Sequence, residues 1–564
     1  MKILLKNQNN NVVASKMKFG IMCRGATLQN WQAVAVRQLL EHGFSCALLI
    51  VDDNEEPPVT IFRKLKRYFS SVGLYRFYRR FFFRPKALES VSLTAISGME
   101  KVEVLRCKTA KKGYSEYFAP GDVERIKERR LDFILRFAFN IIRGDILRAA
   151  GYGIWSFHHD DEQKYRGGPP GFWEIMKNDP VTGAVLQRLT EKLDGGIVLK
   201  KGFFPTVHHS WTGAIDDLYF RTADWPLSVC RDILNGTADY LDAQPSATSA
   251  KIYKAPKNVE MLRFGLKILS NKITFHYREL FRPEDWNVGV AEVVSDGMTG
   301  SVGKHVVWLP PSSGACYFAD PFAFLSDEKL NILFENYDYK SRKGKVSMVV
   351  FQEGETSSPK TVIEESFHLS YPFVLDHNGE TCCIPEAADS GGIRLYRYDP
   401  AEECFLFEKV LIDGFPGVDP TVFKFGDKWW LFATHKERSN TDLYGFFADD
   451  LYGPYKPHEG NPVKRDIRSA RPAGTPYWNN GCLIRPAQDC SRTYGGRTVL
   501  NRIIELTEER FAEEPAGYIE PLHDTPYTKG LHTFSIVGGY TIFDGKRFKF
   551  NRHHFRFMLK KKLI

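Results

Sequence analysis

The chain carries ten cysteines in 564 residues, yet no two of them stand in a Cys-x-x-Cys pair. That absence argues against zinc ribbons and thioredoxin-like redox centres. Cys382 and Cys383 are adjacent and poorly placed to staple a fold, so reduced thiols in a cytoplasmic protein are expected. An apolar run of the roughly 18 residues that a membrane-crossing helix needs is also missing. The first sixteen residues are polar and Asn-rich, without an apolar core, and read as a tail rather than a leader. No Gly-x-Gly-x-x-Gly follows the first strand, where Arg24-Gly25-Ala26-Thr27 is the only glycine-bearing turn, so a dinucleotide site is not expected. Negative charge is absent from Ile61 to Lys86, a stretch that holds nine basic residues interleaved with Phe62, Tyr68, Phe69, Tyr75, Phe77 and Tyr78.

The remaining composition, 43% hydrophobic and 26% charged, is that of a globular protein, and the length calls for two or three domains. A net charge of +9 permits an acidic partner without specifying one. Lys18 to Met22 reads as a buried strand, Gln29 to His42 as a helix stopped by Gly43, and Phe44 to Val51 as a second strand. This spacing makes a βαβ unit and implies a parallel sheet covered by helices. The basic aromatic segment 61–86 interrupts that rhythm. It reads either as an amphipathic insertion lying on an anionic membrane surface or as a helix packed on its own domain with a solvated basic face. No nucleic-acid recognition module accompanies it, and no nucleic acid partner is expected.

The rhythm resumes at Leu131 to Phe137, a strand, with Ile146 to Ala150 expected within a helix. An apolar strand then delivers Ser156, His158 and a glycine- and proline-rich turn at its C-terminal end, where open α/β sheets bind ligands. Thr182 to Leu199 reads as two strands joined by an acidic, glycine-rich turn.

Four elements fall in a recognisable order: Ser156-Phe157-His158, Arg166-Gly167-Gly168-Pro169-Pro170, Thr182-Gly183 and Leu193-Asp194-Gly195-Gly196. Together they resemble the folate-dependent formyltransferases of the methionyl-tRNA and sugar N-formyltransferase type. The resemblance implies a Rossmann-like α/β domain over residues 17–210 using 10-formyltetrahydrofolate as co-substrate. It implies Ser156, His158 and Asp194 as the catalytic triad, and Arg166, Gly167, Leu193 and Gly195 as the folate-binding set. The chemistry suits those residue types. As an amine attacks the formyl carbon, a histidine and a neutral donor stabilise the oxyanion, and a carboxylate orients the histidine and takes the proton. Two positions depart from the family pattern. Ser156 stands where the family has asparagine, and the usually apolar loop before Arg166 reads Asp160-Asp161-Glu162-Gln163-Lys164-Tyr165. His159, His208 and His209 are expected to be structural.

Residues 211–283 show helical periodicity over Asp216 to Leu234 and Asn258 to Phe281 and read as a connector. Beyond them come short strands, turns and a repeat. Ala319-Asp320-Pro321-Phe322, Ser370-Tyr371-Pro372-Phe373, Val418-Asp419-Pro420-Thr421 and Ala470-Arg471-Pro472-Ala473 recur about every fifty residues, as blades of a propeller do. A fifth unit can be drawn from Leu531 to Phe550, with Asn287 to Trp308 supplying strands that close the ring; a β-sandwich is the alternative. This half, 284–556, resembles the five-bladed propellers of arabinanase- and invertase-type glycoside hydrolases, and more closely the propeller of plant glucosaminyl inositolphosphorylceramide transferases. The resemblance implies Asp320, Glu386 and Asp419 as sugar-binding residues. Glu386 precedes Asp419, the wrong order for the hydrolase acid, so binding without cleavage is expected.

The joint expectation is a multidomain protein, an α/β Rossmann-like formyltransferase domain followed by an all-β five-bladed propeller. It would formylate an amino sugar, nucleotide- or lipid-linked, in surface glycan synthesis. The alternative is a carbohydrate-binding or glycoside-processing propeller protein with a non-catalytic transferase-like domain. No metal is expected. Localisation is expected to be cytoplasmic, with peripheral membrane attachment through 61–86.

Overall fold

The computed structural model describes residues 17–54, 69–192, 195–293, 305–310 and 314–563. They form two units that divide near residue 273.

The first unit is built on a seven-stranded sheet. Its strands are β1 (Lys18–Cys23), β2 (Ser45–Asp52), β3 (Glu103–Cys107), β4 (Phe133–Arg136), β5 (Ile154–His158), β6 (Val181–Arg188) and β7 (Ile197–Pro205). The spatial order is β7-β6-β5-β4-β1-β2-β3. β3, β2, β1, β4 and β5 run parallel, and β6 and β7 add an antiparallel edge. An order of 3-2-1-4-5 is that of a doubly wound sheet, covered on both faces.

Alternation along β1 shows the covering directly. Phe19, Ile21 and Cys23 join the core formed with Val36, Leu39 and Val229. Met22 joins the opposite core with Val123, Ile126 and Ile146. The helices are α1 (Asn30–Glu41), α2 (Gly73–Phe81), α3 (Pro120–Glu128), α4 (Phe172–Lys177), α5 (Trp211–Thr222), α6 (Trp225–Asn235) and α7 (Asn258–Phe281). α1 begins where the Gln29 backbone N–H donates to Gln32 Oε1 at 2.9 Å, a reciprocal first-turn bond that satisfies an orphan donor.

Two helical expectations need correction. The helix expected at Ile146 to Ala150 is a single 3-10 turn, Asp145–Arg148, bracketed by Gly144 and Gly151. The helix expected from Asp216 to Leu234 is two helices, because Pro226 sits in the first turn of α6, where its missing N–H costs nothing.

The second unit holds five antiparallel sheets of at least four strands each. Four are meanders of consecutive strands. The fifth joins Glu284–Glu292 and Val306–Trp308 from the start of the unit to Phe534–Val537 and Tyr540–Phe548 from its end. This pairing closes the set and gives a propeller-like arrangement.

The repeated tetrapeptides occupy one structural position. In each of the first three, the register slips between the residue before and the residue after the X-Pro pair: Ala319/Phe322, Ser370/Phe373 and Val418/Thr421. The slip is a β-bulge. Its X residue, barred from the right-handed helical region by the following proline, takes φ of 53° at Asp320, 43° at Tyr371 and 51° at Asp419. Such conformations cost on the order of 1–3 kcal/mol and persist where surrounding bonds fix them.

Candidate functional site

The three bulges and the equivalent points beside the other two sheets bring five side chains into one neighbourhood: Asp320, Tyr371, Asp419, Arg471 and His532. Arg471 belongs by register, since Pro472 pairs with Ala487 and the Gln488 N–H donates to the Arg471 carbonyl. His532 stands two residues before Phe534, as Asp320 stands two before Phe322.

The contacts confirm that these residues meet. Asp320 Oδ1 accepts from Thr533 Oγ1 at 2.9 Å and lies 3.3 Å from His532 Nε2, while its Oδ2 accepts the Tyr371 N–H at 3.3 Å. His532 Nδ1 is 2.5 Å from Asp544 Oδ2, which also accepts the Asp320 N–H at 3.1 Å. Asp419 is gripped by Arg471 through Nε at 2.5 Å and Nη2 at 3.1 Å, and Gln488 Nε2 donates to it at 2.8 Å. Tyr371 reaches across two sheets: its hydroxyl meets Thr421 Oγ1 at 3.0 Å and accepts the Gly474 N–H at 2.8 Å.

A second tier comes from the neighbouring strands. Glu335 pairs with Ala319 and Glu386 with Ser370, so both follow the same register into the cluster. Glu386 Oε2 is buried, has no geometric hydrogen-bond partner among the described residues, and lies 3.8 Å from Arg471 Nη2, with the Asp419 carboxylate beside the side chain. Glu335 Oε1 lies 3.7 Å from His368 Nε2. Half-buried aromatics border this tier. Tyr317 stacks on Tyr337 at 4.7 Å, and the Arg471 guanidinium sits 4.8 Å from the Tyr494 ring centre.

Burial sets the electrostatics. It pushes Asp320 up to about 6, against the pull of His532. Burial, then the neighbouring carboxylates, hold Glu335 and Glu386 well above the usual carboxylate range. Burial opposes the charges on Arg471 and His532, but Asp419 keeps the arginine charged and Asp544 with Asp320 raises the histidine. Asp320, His532 and Asp544 each offer a ligand atom within 4.8 Å of the others, enough for three contacts to a cation.

Asp320, Glu386 and Asp419 are therefore neighbours, as are Arg471, His532, Glu335, Asp544 and Tyr371, which sequence reasoning did not select. A signal for three of them was present: Tyr371 and Arg471 fill the position of Asp320 and Asp419 in the repeat, and His532 its fifth copy.

In the first unit two of the residues singled out earlier line a cleft of about 570 Å³ at the C-terminal ends of β4 and β5, and Arg166, Gly167 and Gly195 are not among its lining. Ser156 and His158 are on its wall with Arg136, Gln187 and Arg143. Ser156 is not an open donor. Its Oγ accepts from Arg136 Nε at 3.2 Å and Nη2 at 2.8 Å, while Arg136 Nη1 holds the Phe139 and Asn140 carbonyls at 3.0 and 2.7 Å. His158 Nε2 is 3.4 Å from the Tyr165 carbonyl and 4.0 Å from Asp160 Oδ2. Asp160 is itself buried beside Glu174. Burial raises Asp160, the carboxyl nearest the histidine, well above its usual range and Glu174 to about 7. Leu193 and Asp194 lie outside the described residues. Gly195 packs behind the turn, its carbonyl accepting from Thr190 Oγ1 at 2.6 Å. Arg166 and Gly167 pack against the strand-like segment at Ile252 and Tyr253, the Tyr253 N–H donating to the Arg166 carbonyl at 2.6 Å. His159 is structural, stacked 3.7 Å from Tyr219 and held neutral by burial, which lowers it to about 3.

Residues 309–524 match the family described as Glucosamine inositolphosphorylceramide transferase 1, N-terminal. A rice protein (Oryza sativa subsp. japonica) named Glucosamine inositolphosphorylceramide transferase 1 is 33% identical over 209 residues, 36% of this chain and 28% of the rice protein. The chain thus matches under a third of that relative's length. Among solved structures, a family 117 glycoside hydrolase from Zobellia galactanivorans aligns with 47% of this chain and 91% of its own, at 12% identity and a TM-score of 0.31. Glycinamide ribonucleotide transformylase 1 from Symbiobacterium toebii aligns with 39% and 89%, at 14% identity and a TM-score of 0.27. Similarity of that size says nothing of function.

The expectation of a folate-dependent formyltransferase is corrected on two grounds. The named sequence relatives are inositolphosphorylceramide transferases, not folate enzymes. In the cleft, the serine that replaces the family's asparagine serves Arg136.

Proposed function

We propose that the second unit is a five-bladed propeller that recognises the glycan of a sugar-bearing lipid, so that the chain serves lipid glycosylation as a binding component. The observation that carries this reading is the buried Glu386 Oε2, without a geometric hydrogen-bond partner among the described residues, set beside Arg471, on which the half-buried Tyr494 ring packs. A carboxyl that burial pushes toward its protonated form can donate as well as accept, an arginine donates, and an aromatic face covers C–H groups; together they match the mixed surface of a sugar ring. The name of the rice relative, with glucosamine and inositolphosphorylceramide in it, supports a lipid-linked sugar as the ligand class. Its transferase activity is not inherited with the match, which is to the N-terminal part of that family.

Cleavage is disfavoured by the same geometry. A glycosidase sets an ionised carboxylate opposite a protonated one across the scissile bond. Here Asp419 is held by Arg471 and Gln488, and Asp320 by Thr533, His532 and the Tyr371 N–H. Neither is available to attack or to activate water.

The test is calorimetric titration of the full chain with glucosamine and with inositol 1-phosphate, for wild type and Glu386→Gln. Binding weakened about tenfold in the variant, with no turnover of aryl glycosides by either protein, is expected. Absence of any binding overturns the proposal, and glycoside turnover lost in Glu386→Gln replaces it with a hydrolase.

A further inference from the structure

α2 and α7 are joined at their N-terminal ends. The Leu74 N–H donates to Asn258 Oδ1 at 3.0 Å, and the Asn258 side chain and backbone donate to the Ser70 and Ser71 carbonyls at 3.0 and 2.7 Å. Each helix buries one face in a shared core. Tyr75 and Tyr78 from α2 meet Trp211, and Met261 and Phe264 from α7 close over Phe172 and Phe83.

What the two helices leave outside is apolar again. Along α7, Val259, Leu262, Leu266, Leu269 and Ile273 recur every three or four residues, and all are 57–70% exposed. That spacing places them on one stripe, turned away from Met261 and Phe264. Along α2, Leu74, Phe77 and Phe81 form a second exposed edge, 39%, 46% and 55% accessible, and Phe82 and Phe69 beyond its ends are 62% and 88% accessible. Globular proteins scatter exposed apolar side chains singly, whereas eight on two adjoining helices, with Phe69 and Phe82 beside them, mark a surface made to be covered.

Charge identifies what covers it. Arg76 and Arg80 of α2 lie on the face next to its apolar edge, Arg79 packs over Tyr75 and Phe83, and Arg84 follows. Arg263 and Lys267 border the α7 stripe on one side and Lys272 on the other. No acidic residue occurs between Pro57 and Leu88. Large apolar side chains flanked by Arg and Lys are what the interface of an anionic bilayer receives: the rings and leucines enter the headgroup boundary while the cations stay among the phosphates. Among the described residues no helix is long and apolar enough to cross a membrane, so the attachment is to a surface.

We propose that α2 and the α7 stripe together form a docking face for an anionic lipid bilayer, holding the chain at the membrane surface. It stands independently of the sugar reading, since all its residues belong to the first unit.

The test is flotation of the full chain with vesicles of phosphatidylcholine alone and with 30% phosphatidylserine, at about 0.15 M and higher salt. Binding to the anionic vesicles only, falling steeply with salt as the Debye length shrinks below about 8 Å, is expected. Neutralising Arg76, Arg80 and Arg263 to Gln should weaken it about fivefold per residue. Leu266→Ser with Leu269→Ser, exposed changes that leave the melting temperature in place, should abolish it. Equal binding to neutral vesicles, or no binding to either, overturns the proposal. A concentration-dependent dimer lost in the Leu266/Leu269 double variant, without vesicle binding, assigns the stripe to a second copy of the chain instead.

Discussion

Each unit buries an arginine at the end of its strands, and the two arginines live in opposite surroundings. Arg136 is held by neutral acceptors, Ser156 and two backbone carbonyls, on the wall of a cleft. Arg471 grips a carboxylate in a cluster that also holds Asp320, Glu335 and Glu386. In the first case the cation is hydrogen-bonded by dipoles, with the Glu116 carboxylate nearby; in the second the cation is the direct counter-charge of the buried Asp419. Polar residues in a cleft are thus adjustable, whereas a closed charge network fixes the geometry of everything tied to it.

The largest predicted effect follows from that contrast. Arg471→Met strands Asp419 as a buried unpaired charge and should cost about 3–5 kcal/mol, whereas Arg136→Met should cost only about 1–3 kcal/mol. Hydrogen exchange on the full chain separates the two, read in 417–425 and 482–489 for the first and in 133–136 and 154–158 for the second. Equal losses would break the comparison.

A smaller effect probes the same cluster without touching charge. Tyr371→Phe removes the acceptor of the Gly474 N–H and the partner of Thr421 Oγ1. An orphaned buried donor costs about 1–3 kcal/mol, so protection in 417–425 should drop by that amount. No change in exchange would mean that the hydroxyl does not tie the sheets together.

The two regions also differ in how far they were legible. The second unit announced itself because one physical demand recurs: a residue forced into a bulge before proline. Asp320 and Asp419 were found that way. Tyr371, Arg471 and His532 occupy the same position and were passed over because their side chains do not look like a sugar site one at a time. In the first unit the strands were readable from apolar runs, but the role of Ser156 was not. Its partner Arg136 lies twenty residues earlier on a different strand, and the pairing depends on β4 and β5 being neighbours. Glu174 was hidden for a related reason: a carboxyl inside a six-residue helix reads as surface until Asp160 packs beside it.

The Asp160–Glu174 pair gives a pH test that belongs to the first unit alone. Burial raises Glu174 to about 7 and Asp160 well above the carboxylate range, while in the unfolded chain both ionise near pH 4. The folded chain therefore binds more protons between these values, and stability falls as pH rises through about 7. His159, lowered to about 3, has the opposite slope, but only below about 6.5, where its unfolded form gains a proton. Between pH 6.5 and 8, protection in 154–158 and 172–177, taken relative to each amide's intrinsic exchange rate, should fall in wild type and fall less in Glu174→Gln. A wild-type profile that is already flat would mean the pair does not hold its protons.

The smallest effect is expected where the sequence resemblance placed the most weight. Ser156→Ala removes the acceptor for two N–H groups of Arg136 but leaves its bonds to the Phe139 and Asn140 carbonyls. Because the cleft is open to solvent, water can take the place of the hydroxyl, and the loss should be near the low end for a hydrogen bond, about 0.5–1.5 kcal/mol. Ser156→Asn tests room rather than charge. Its amide oxygen can accept from Arg136, but the longer side chain must enter a position whose own residue is 2% exposed, and overpacking costs about 1–3 kcal/mol. Alanine should therefore be tolerated better than asparagine, read as protection in 154–158. If asparagine is the better tolerated, the pocket around Arg136 has space for the longer side chain, and Ser156 is not fitted to the arginine. If alanine costs as much as Arg471→Met, water does not reach Arg136, and the contrast between an adjustable cleft and a closed network fails.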